Sequence, residues 1–138
     1  MKNYSALMGQ INLIESITSQ EMWSFLNDGS CKIAEYGKNS IIHFVGEVCL
    51  KLEIILSGRV VIERIDESGN LMTIAEFFSG DVLGGNLMFS KNPYYPMTVT
   101  AKQPTLILEI NKDRLFQLFS DNHKFLKAYL EYVSDHTV

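Results

Sequence analysis

Few side chains in this sequence could carry out covalent chemistry or bind a metal ion. The histidines are His43, His123 and His136, and the cysteines are Cys31 and Cys49. None of them stands at a metal-ligand spacing from another, or from a pair of carboxylates. The sequence contains neither a phosphate-binding glycine-rich loop nor a nucleophile elbow. We therefore expect no enzyme activity and no metal site, and we interpret His43, in an apolar strand, as a sheet residue whose ring nitrogens find partners.

Composition and charge narrow the class of protein further. The 138 residues are enough for one domain with its own core, and the net charge is -4. Lysines and arginines are scattered, so we expect no nucleic acid binding by this chain, because phosphate contacts need a basic face. No apolar run approaches the ~20 residues of a membrane span, and the polar start is not a secretion signal. We expect a cytoplasmic protein with two free thiols and no membrane partner.

Helical spacing occurs at both ends of the sequence. The first dozen residues lack periodicity, which predicts a loose arm. Thr18 and Glu21 then form a capping box for a short amphipathic helix, and residues 27–29 end it. After residue 110 the pattern predicts a short helix capped by Asn111, followed by a second helix capped by Asp121 or Asn122.

Between residues 32 and 112 the apolar residues alternate or form short runs. This pattern predicts eight strands, at residues 32–36, 40–45, 51–56, 59–65, 71–78, 81–83, 97–102 and 105–110. The turns between them contain Gly37, Gly46, Gly58, Gly69 and Gly80, each where a turn favours positive φ. Short, evenly spaced strands without intervening helices indicate an antiparallel sandwich, roll or barrel.

Four segments of this strand region resemble the cyclic-nucleotide-binding effector domains of Crp/Fnr transcription regulators. The sequence ILSGRV at residues 55–60 is similar to a hairpin of that family, and FSGDVLG at residues 78–84 to its GDxxG strand. NSIIHFVGE at residues 39–47 and MTVTA at residues 97–101 match two more segments in the same order. The resemblance covers nearly the whole chain. It implies a mainly β fold with flanking helices, an antiparallel double-stranded β-helix or jelly-roll-like β-roll.

The residues that bind cyclic nucleotides in that family are replaced here. In the family, the loop after GDxxG carries a glutamate for the ribose and an arginine for the cyclic phosphate. Gly85 holds the glutamate position in this sequence, or Asn86 does if Gly85 is an insertion, and Tyr95 followed by Pro96 holds the arginine position. A phosphate buried without a counter-charge is costly. We therefore expect no response to cAMP or cGMP.

The same loop could bind a different small-molecule effector. Backbone N–H groups of the small residues at its start could form an anion nest, and its aromatic and apolar side chains could line a cavity for a carboxylate or ring compound. The predicted ligand-binding residues are Gly84, Gly85, Asn86, Leu87, Tyr94, Tyr95, Met97 and Thr98. The alternative is that these side chains fill the roll, which would make the chain a stand-alone structural or interaction module.

The resemblance also bears on cofactors. Some relatives hold an iron–sulfur cluster, which needs a group of N-terminal cysteines that this sequence lacks, and others hold haem. Haem bound through His43 or a cysteine stays open as an alternative, and no cofactor is predicted.

The final helix carries an apolar stripe formed by Phe125, Leu126, Tyr129, Leu130 and Val133. The resemblance implies that residues 121–138 begin a helix along which two protomers pair, after a β-roll domain at residues 1–120 that includes the N-terminal helix. The family's helix-turn-helix DNA-binding domain has no counterpart here, and the tail ends in mid-pattern, which predicts a truncated chain. We expect a homodimeric, ligand-sensing effector domain that reaches DNA through a missing domain.

Overall fold

Two antiparallel sheets form the body of the molecule. The computed structural model describes residues 4–136, and within this range it contains eight strands in two four-stranded sheets. The strands are β1 (Cys31–Tyr36), β2 (Ile41–His43), β3 (Lys51–Ser57), β4 (Val60–Ile65), β5 (Leu71–Phe77), β6 (Val82–Leu83), β7 (Thr98–Ala101) and β8 (Thr105–Asn111). One sheet has the order β1-β8-β3-β6 and the other β2-β7-β4-β5. The predicted mainly β roll with flanking helices is confirmed.

Helices flank this roll at both ends of the chain. They are α1 (Ser5–Met8), a 3₁₀ turn (Asn12–Ile14), α2 (Ser19–Asp28), α3 (Lys112–Asp121) and α4 (His123–Asp135). The predicted capping box is present, since the Glu21 amide donates to Thr18 Oγ1 at 3.1 Å and the Thr18 amide to Glu21 Oε1 at 3.0 Å. Asn111 caps α3 and Asn122 caps α4, each through its side-chain oxygen. In the described range no helix is long and apolar enough to cross a membrane.

The prediction of a loose arm over the first dozen residues is wrong. From Tyr4 on, this segment forms α1 and then approaches the 3₁₀ turn, and Ile11, Leu13 and Ile14 are buried in the core. The 3₁₀ turn packs against α4, and Asn122 Nδ2 donates to the Ser16 carbonyl at 3.4 Å. The apolar residues showed no helical period because they belong to two very short helices rather than one longer helix.

The turn between β1 and β2 also differs from its prediction. Positive φ falls on Asn39, at 69°, and not on Gly37. Asparagine tolerates the left-handed region better than most residues because its short polar side chain can bond locally. The glycines of the four other predicted turns do adopt positive φ, as expected.

Strand β3 is the most deeply buried strand of the roll. Leu52, Glu53, Ile54, Ile55 and Leu56 are each at most 1% exposed. A strand covered on both faces reads as a continuous apolar run instead of an alternating one. Glu53 differs from its neighbours in this run because its side chain is a carboxyl group and theirs are apolar.

Candidate binding site

The segment from Gly84 to Tyr95, here called the 84–95 loop, connects β6 to β7. It begins with a turn in which the amides of Leu87 and Met88 donate to the Gly84 carbonyl at 3.0 and 3.1 Å. Met88 is buried in the core. Gly84 adopts φ +69°, and a Cβ there would lie 2.8 Å from Cys49 Sγ and 2.9 Å from the Tyr95 hydroxyl. The turn therefore requires glycine for its backbone and for its close approach to the interior.

Beneath this loop, Glu53 is the centre of a buried hydrogen-bonded group. The carboxylate of Glu53 is fully buried, and its Oε1 accepts a hydrogen bond from His43 Nε2. The Tyr95 hydroxyl donates to the same oxygen at 3.2 Å. The rings of His43 and Tyr95 stack, with centroids 4.2 Å apart and planes inclined by 10°. The end of the loop is thus anchored on β2 and β3 by one aromatic residue.

His43 bridges two carboxylates. Its Nδ1 lies 2.7 Å from Glu47 Oε2, while its Nε2 bonds Glu53. Both ring nitrogens donate only in the imidazolium form, so the geometry favours a charged His43. Burial lowers the pKa of His43, but hydrogen bonds and charge from Glu53 and Glu47 outweigh burial and leave it above its ordinary value. The predicted role of His43, a sheet residue with satisfied ring nitrogens, is confirmed.

Two neutral groups complete this set. Cys49 Sγ lies 3.6 Å from the Tyr95 hydroxyl, and burial raises the pKa of both groups. A protonated thiol is a poor nucleophile and a poor metal ligand, so Cys49 packs rather than reacts. We call the group formed by His43, Glu47, Cys49, Glu53 and Tyr95 the interior polar cluster. Across residues 4–136, no three histidine, cysteine, aspartate or glutamate side chains are placed to hold a metal ion.

Backbone hydrogen bonds fix the end of the loop beside the cluster. The Gly46 amide donates to the Tyr95 carbonyl at 2.7 Å, and the Tyr95 amide donates to the Glu47 carbonyl at 2.8 Å. The Cys49 amide donates to the Pro93 carbonyl at 2.6 Å. Residues 44–49 and 93–95 are therefore joined through their backbones, and both segments carry side chains of the interior polar cluster.

The start of the loop is tied to the final helix. The Tyr129 hydroxyl of α4 donates to the Gly85 carbonyl, and the Val82 amide donates to the Tyr132 hydroxyl at 2.8 Å. Phe89, midway along the loop, lies against Tyr129 and Phe119 with ring centroids 6.4 and 6.0 Å away. The loop thus contacts the interior polar cluster at one end and α4 at the other.

The structure separates the predicted ligand-binding residues. Gly85 and Tyr95 are buried, Gly84, Leu87, Met97 and Thr98 are half-buried, and Asn86 and Tyr94 are exposed. Of this set, Tyr95 enters the interior polar cluster and Gly84 lies against it. Tyr94 is 54% exposed and does not line the interior.

Sequence reasoning missed Glu47 and Glu53 as site residues. Glu53 had one visible signal, a lone carboxylate in the apolar run of β3. Such a residue is expected to be paired in the interior, because an isolated buried charge is costly. Its partners lie 10 and 42 positions away, and the sequence pattern did not connect them.

The predicted dimer stripe on α4 is divided between two environments. Phe125 and Tyr129 are buried against the rest of the chain, so α4 uses this i, i+4 pair for its own packing onto the roll. Pairing of two protomers along the stripe stays a prediction. Leu126 and Val133 are half-buried, and Leu130 is 54% exposed.

Replacing Tyr129 with phenylalanine tests the link between the loop and α4. The variant keeps the ring but leaves the buried Gly85 carbonyl without its donor, which typically costs about 1–3 kcal/mol. We expect a loss in that range in urea unfolding, with faster amide exchange in residues 84–89. Tyr4→Phe is the matched control, because its hydroxyl bonds an exposed carboxylate of Glu35 and should cost about 0.5 kcal/mol at most. Equal losses in both variants would contradict the proposed link.

Comparison with known proteins agrees with this architecture. A family model described as "Cyclic nucleotide-binding domain" matches residues 20–122. No curated protein sequence matches the chain significantly. Among solved structures, the sensor domain of the transcriptional regulator DNR from Pseudomonas aeruginosa is similar, with a TM-score of 0.75 and 20% identity, over 96% of this chain and 87% of that one.

Two further structures show the same fold. A transcriptional regulator from Thermotoga maritima has a TM-score of 0.73 and 24% identity, over 83% of this chain and 88% of that one. The catabolite activator protein of Thermus thermophilus has a TM-score of 0.70 and 16% identity, over 90% of this chain but only 57% of its own length. At these identities the structures establish the fold alone, whereas the family model covers most of the sequence. The chain belongs to the cyclic nucleotide-binding domain family.

Proposed function

We propose that this chain is the ligand-sensing effector domain of a Crp/Fnr-type transcription regulator whose effector is not cAMP or cGMP. The observation that carries this proposal is the double attachment of the 84–95 loop. Tyr95 holds one end in the interior polar cluster, and Tyr129 holds the other end on α4. A ligand that binds one arrangement of the loop better than another would bias the position of α4.

The charges around the loop argue against a cyclic nucleotide. The family's arginine position holds Tyr95, and the interior beneath it contains the carboxylates of Glu53 and Glu47. Two basic side chains of the roll pair with acidic groups elsewhere, Lys51 with Glu109 at 2.9 Å and Lys102 with Glu63 at 3.2 Å. A phosphate placed here would lose its hydration and meet carboxylates instead of a guanidinium.

In this proposal α4 carries the output. Its exposed face would pair with the same face of a second protomer, and an attached domain would contact DNA in the cytoplasm. The solved relatives described as transcriptional regulators support this role, and it requires no catalysis by this chain. Leu126 and Leu130 are the apolar residues that α4 leaves for such contact after Phe125 and Tyr129 have packed inward.

Replacing Leu130 with aspartate tests the pairing face. Leu130 is mostly exposed, so the variant should fold with wild-type stability to within about 0.5 kcal/mol. A charge in the centre of an apolar seam should weaken self-association by about tenfold or more. Sedimentation equilibrium measures this, with Lys124→Glu as a control that adds negative charge at another exposed position of α4. Identical association constants for the two variants would exclude this face from the dimer.

A panel of metabolites tests the sensing role itself. We expect at least one neutral or cationic compound to raise the melting temperature of the wild-type chain, and cAMP and cGMP to leave it unchanged. The same compound should change the NMR signals of both the 84–95 loop and α4. If no compound stabilises the fold, the sensing role is contradicted.

One observation favours a second candidate, an interaction module without an effector. Tyr95 is only 5% exposed and already occupies the space over His43. If the ring is permanent filling, the chain would act through its surface alone. The metabolite panel separates the two candidates, because a permanently filled interior gives no ligand-dependent signal at Tyr95.

A further inference from the structure

One oxygen of the buried Glu53 carboxylate lacks a hydrogen-bond donor. Oε1 accepts from both His43 and Tyr95, whereas Oε2 has no partner among residues 4–136. The residue is 0% exposed. Buried polar atoms in native proteins almost always find a partner, because an unsatisfied group loses its hydration without compensation. An acceptor in this position is suited to a donor from outside the chain.

Acidic groups outnumber basic groups in the interior polar cluster. The single imidazolium of His43 lies between two carboxylates, those of Glu47 and Glu53. Tyr95 and Cys49 are neutral, because burial raises the pKa of each. Tyr36 of β1 also faces this region and is held neutral by burial. The cluster therefore holds one basic side chain, His43, between two acidic ones.

Two lysines on neighbouring elements lie near the cluster, and Lys51 acts at longer range on Glu47 and Glu53. On β3 and β8, Lys51 and Glu109 neutralise each other in an ion pair. Lys112 of α3 is close enough to act on the Cys49 thiol, but its ammonium lies over the Phe89 ring, 5.6 Å from the centroid. Neither Lys51 nor Lys112 donates a hydrogen bond to Glu53.

Tyr95 shows what kind of molecule the site accepts. Its ring lies flat on the His43 imidazole and its hydroxyl donates to Glu53. The backbone of its loop is held by hydrogen bonds of its own, independent of the Tyr95 side chain. The absence of a Cβ at Gly84 leaves room for the Tyr95 hydroxyl. A planar ring with one or two donors can make the same contacts and can also reach Oε2, which Tyr95 leaves unpaired.

We infer that the effector is a small aromatic or heteroaromatic molecule with cationic or N–H donor groups, which displaces the Tyr95 ring and donates to Glu53. This inference rests on the proposed sensing function and specifies the class of ligand. This ligand class differs from the carboxylate or other anion that the sequence predicted at the small residues that begin the loop. Displacement of the Tyr95 ring would remove the side-chain contacts at the end of the loop, while its backbone stays bonded to residues 46–49 and its start stays attached to α4 through Tyr129.

Benzamidine and benzoate are matched probes for this inference, because they share a planar ring and differ in charge and in hydrogen-bond donors. NMR titration of the wild-type chain should give at least tenfold tighter binding of benzamidine, the effect of one charged hydrogen bond. Glu53→Gln should weaken benzamidine binding by about tenfold or more. Tyr95→Leu, which removes the competing ring, should strengthen it by a similar factor.

The two variants change affinity in opposite directions, and a general loss of structure would not produce this result. If Glu53→Gln does not fold, the comparison of both probes in Tyr95→Leu still decides the question. Binding of benzoate as tight as that of benzamidine would overturn the inference, and so would no binding of either probe to Tyr95→Leu. The proposed function fails separately, if benzamidine saturates the site and the signals of α4 do not change.

Discussion

Gly58→Ala should lower the free energy of unfolding by about 3 kcal/mol or more, which would make it one of the most damaging single changes in the chain. Gly58 adopts φ +112°, a conformation that side-chain-bearing residues rarely reach. A Cβ there would lie 2.8 Å from the Pro104 carbonyl oxygen and from Thr105 Cα, and would also meet Thr105 Oγ1. Backbone strain and overpacking each typically cost about 1–3 kcal/mol, and here they act together.

Gly69→Ala is the matched control for this measurement. Gly69 also has positive φ, at +85°, but no described atom lies within 4 Å of the position a Cβ would take. The control should lose only the backbone contribution, about 1–2 kcal/mol. Urea unfolding of the two variants separates strain from crowding. Similar losses would show that the β3–β4 turn can move away from β8, contrary to the close approach described above.

His43→Ala should cost about 3–5 kcal/mol, because it leaves the fully buried carboxyl group of Glu53 without its main partner. Lys127→Ala provides the contrast. Lys127 lies 3.8 Å from Glu131 on the exposed surface of α4, and a pair of that kind contributes about 0.5 kcal/mol or less. Comparable losses in the two variants would show that the His43 contacts contribute no more than a surface ion pair.

The same histidine predicts a pH dependence with a definite sign. Since the pKa of His43 is higher in the folded chain than its ordinary value of 6.5, its contribution is complete below that value and is lost as pH rises through the raised pKa. Glu47 acts oppositely, because the hydrogen bond from His43 lowers its pKa, and its contribution is lost as pH falls through that lowered value. Melting temperatures measured from pH 6 upward should fall more steeply for the wild type than for His43→Ala. Parallel curves would contradict a charged His43 in the folded state.

Local signals predicted the strands and helices, whereas the choice of a roll over a sandwich or barrel came from the family resemblance. Glycine turns marked five of the strand connections, and the caps of α2, α3 and α4 lay within three residues of the groups they bond. The segment around Ile11 failed for the opposite reason. Its burial depends on the distant helix α4, and neither of its short helices is long enough to show a period.

The candidate site was only partly predictable because its key contacts are non-local. The resemblance located the 84–95 loop and showed that both charged determinants were missing, and Tyr95 was named on that basis. The partners of Tyr95 were not identified, since Glu53 and His43 come from strands 42 and 52 positions earlier. The α4 stripe predicted an apolar surface, but it could not show that Phe125 and Tyr129 face the roll rather than another protomer.

The proposed sensing requires that the interior polar cluster and α4 be coupled through the 84–95 loop. Amide hydrogen exchange in Tyr95→Leu tests it most directly, with Tyr94→Leu as the control, because Tyr94 is the exposed neighbour on the same loop. We expect Tyr95→Leu to accelerate exchange in the loop and in residues 123–135 of α4 and to leave exchange in α2 unchanged, whereas Tyr94→Leu should not accelerate exchange in α4. If faster exchange stays within the loop and residues 44–49 while α4 keeps its wild-type protection, the coupling does not exist.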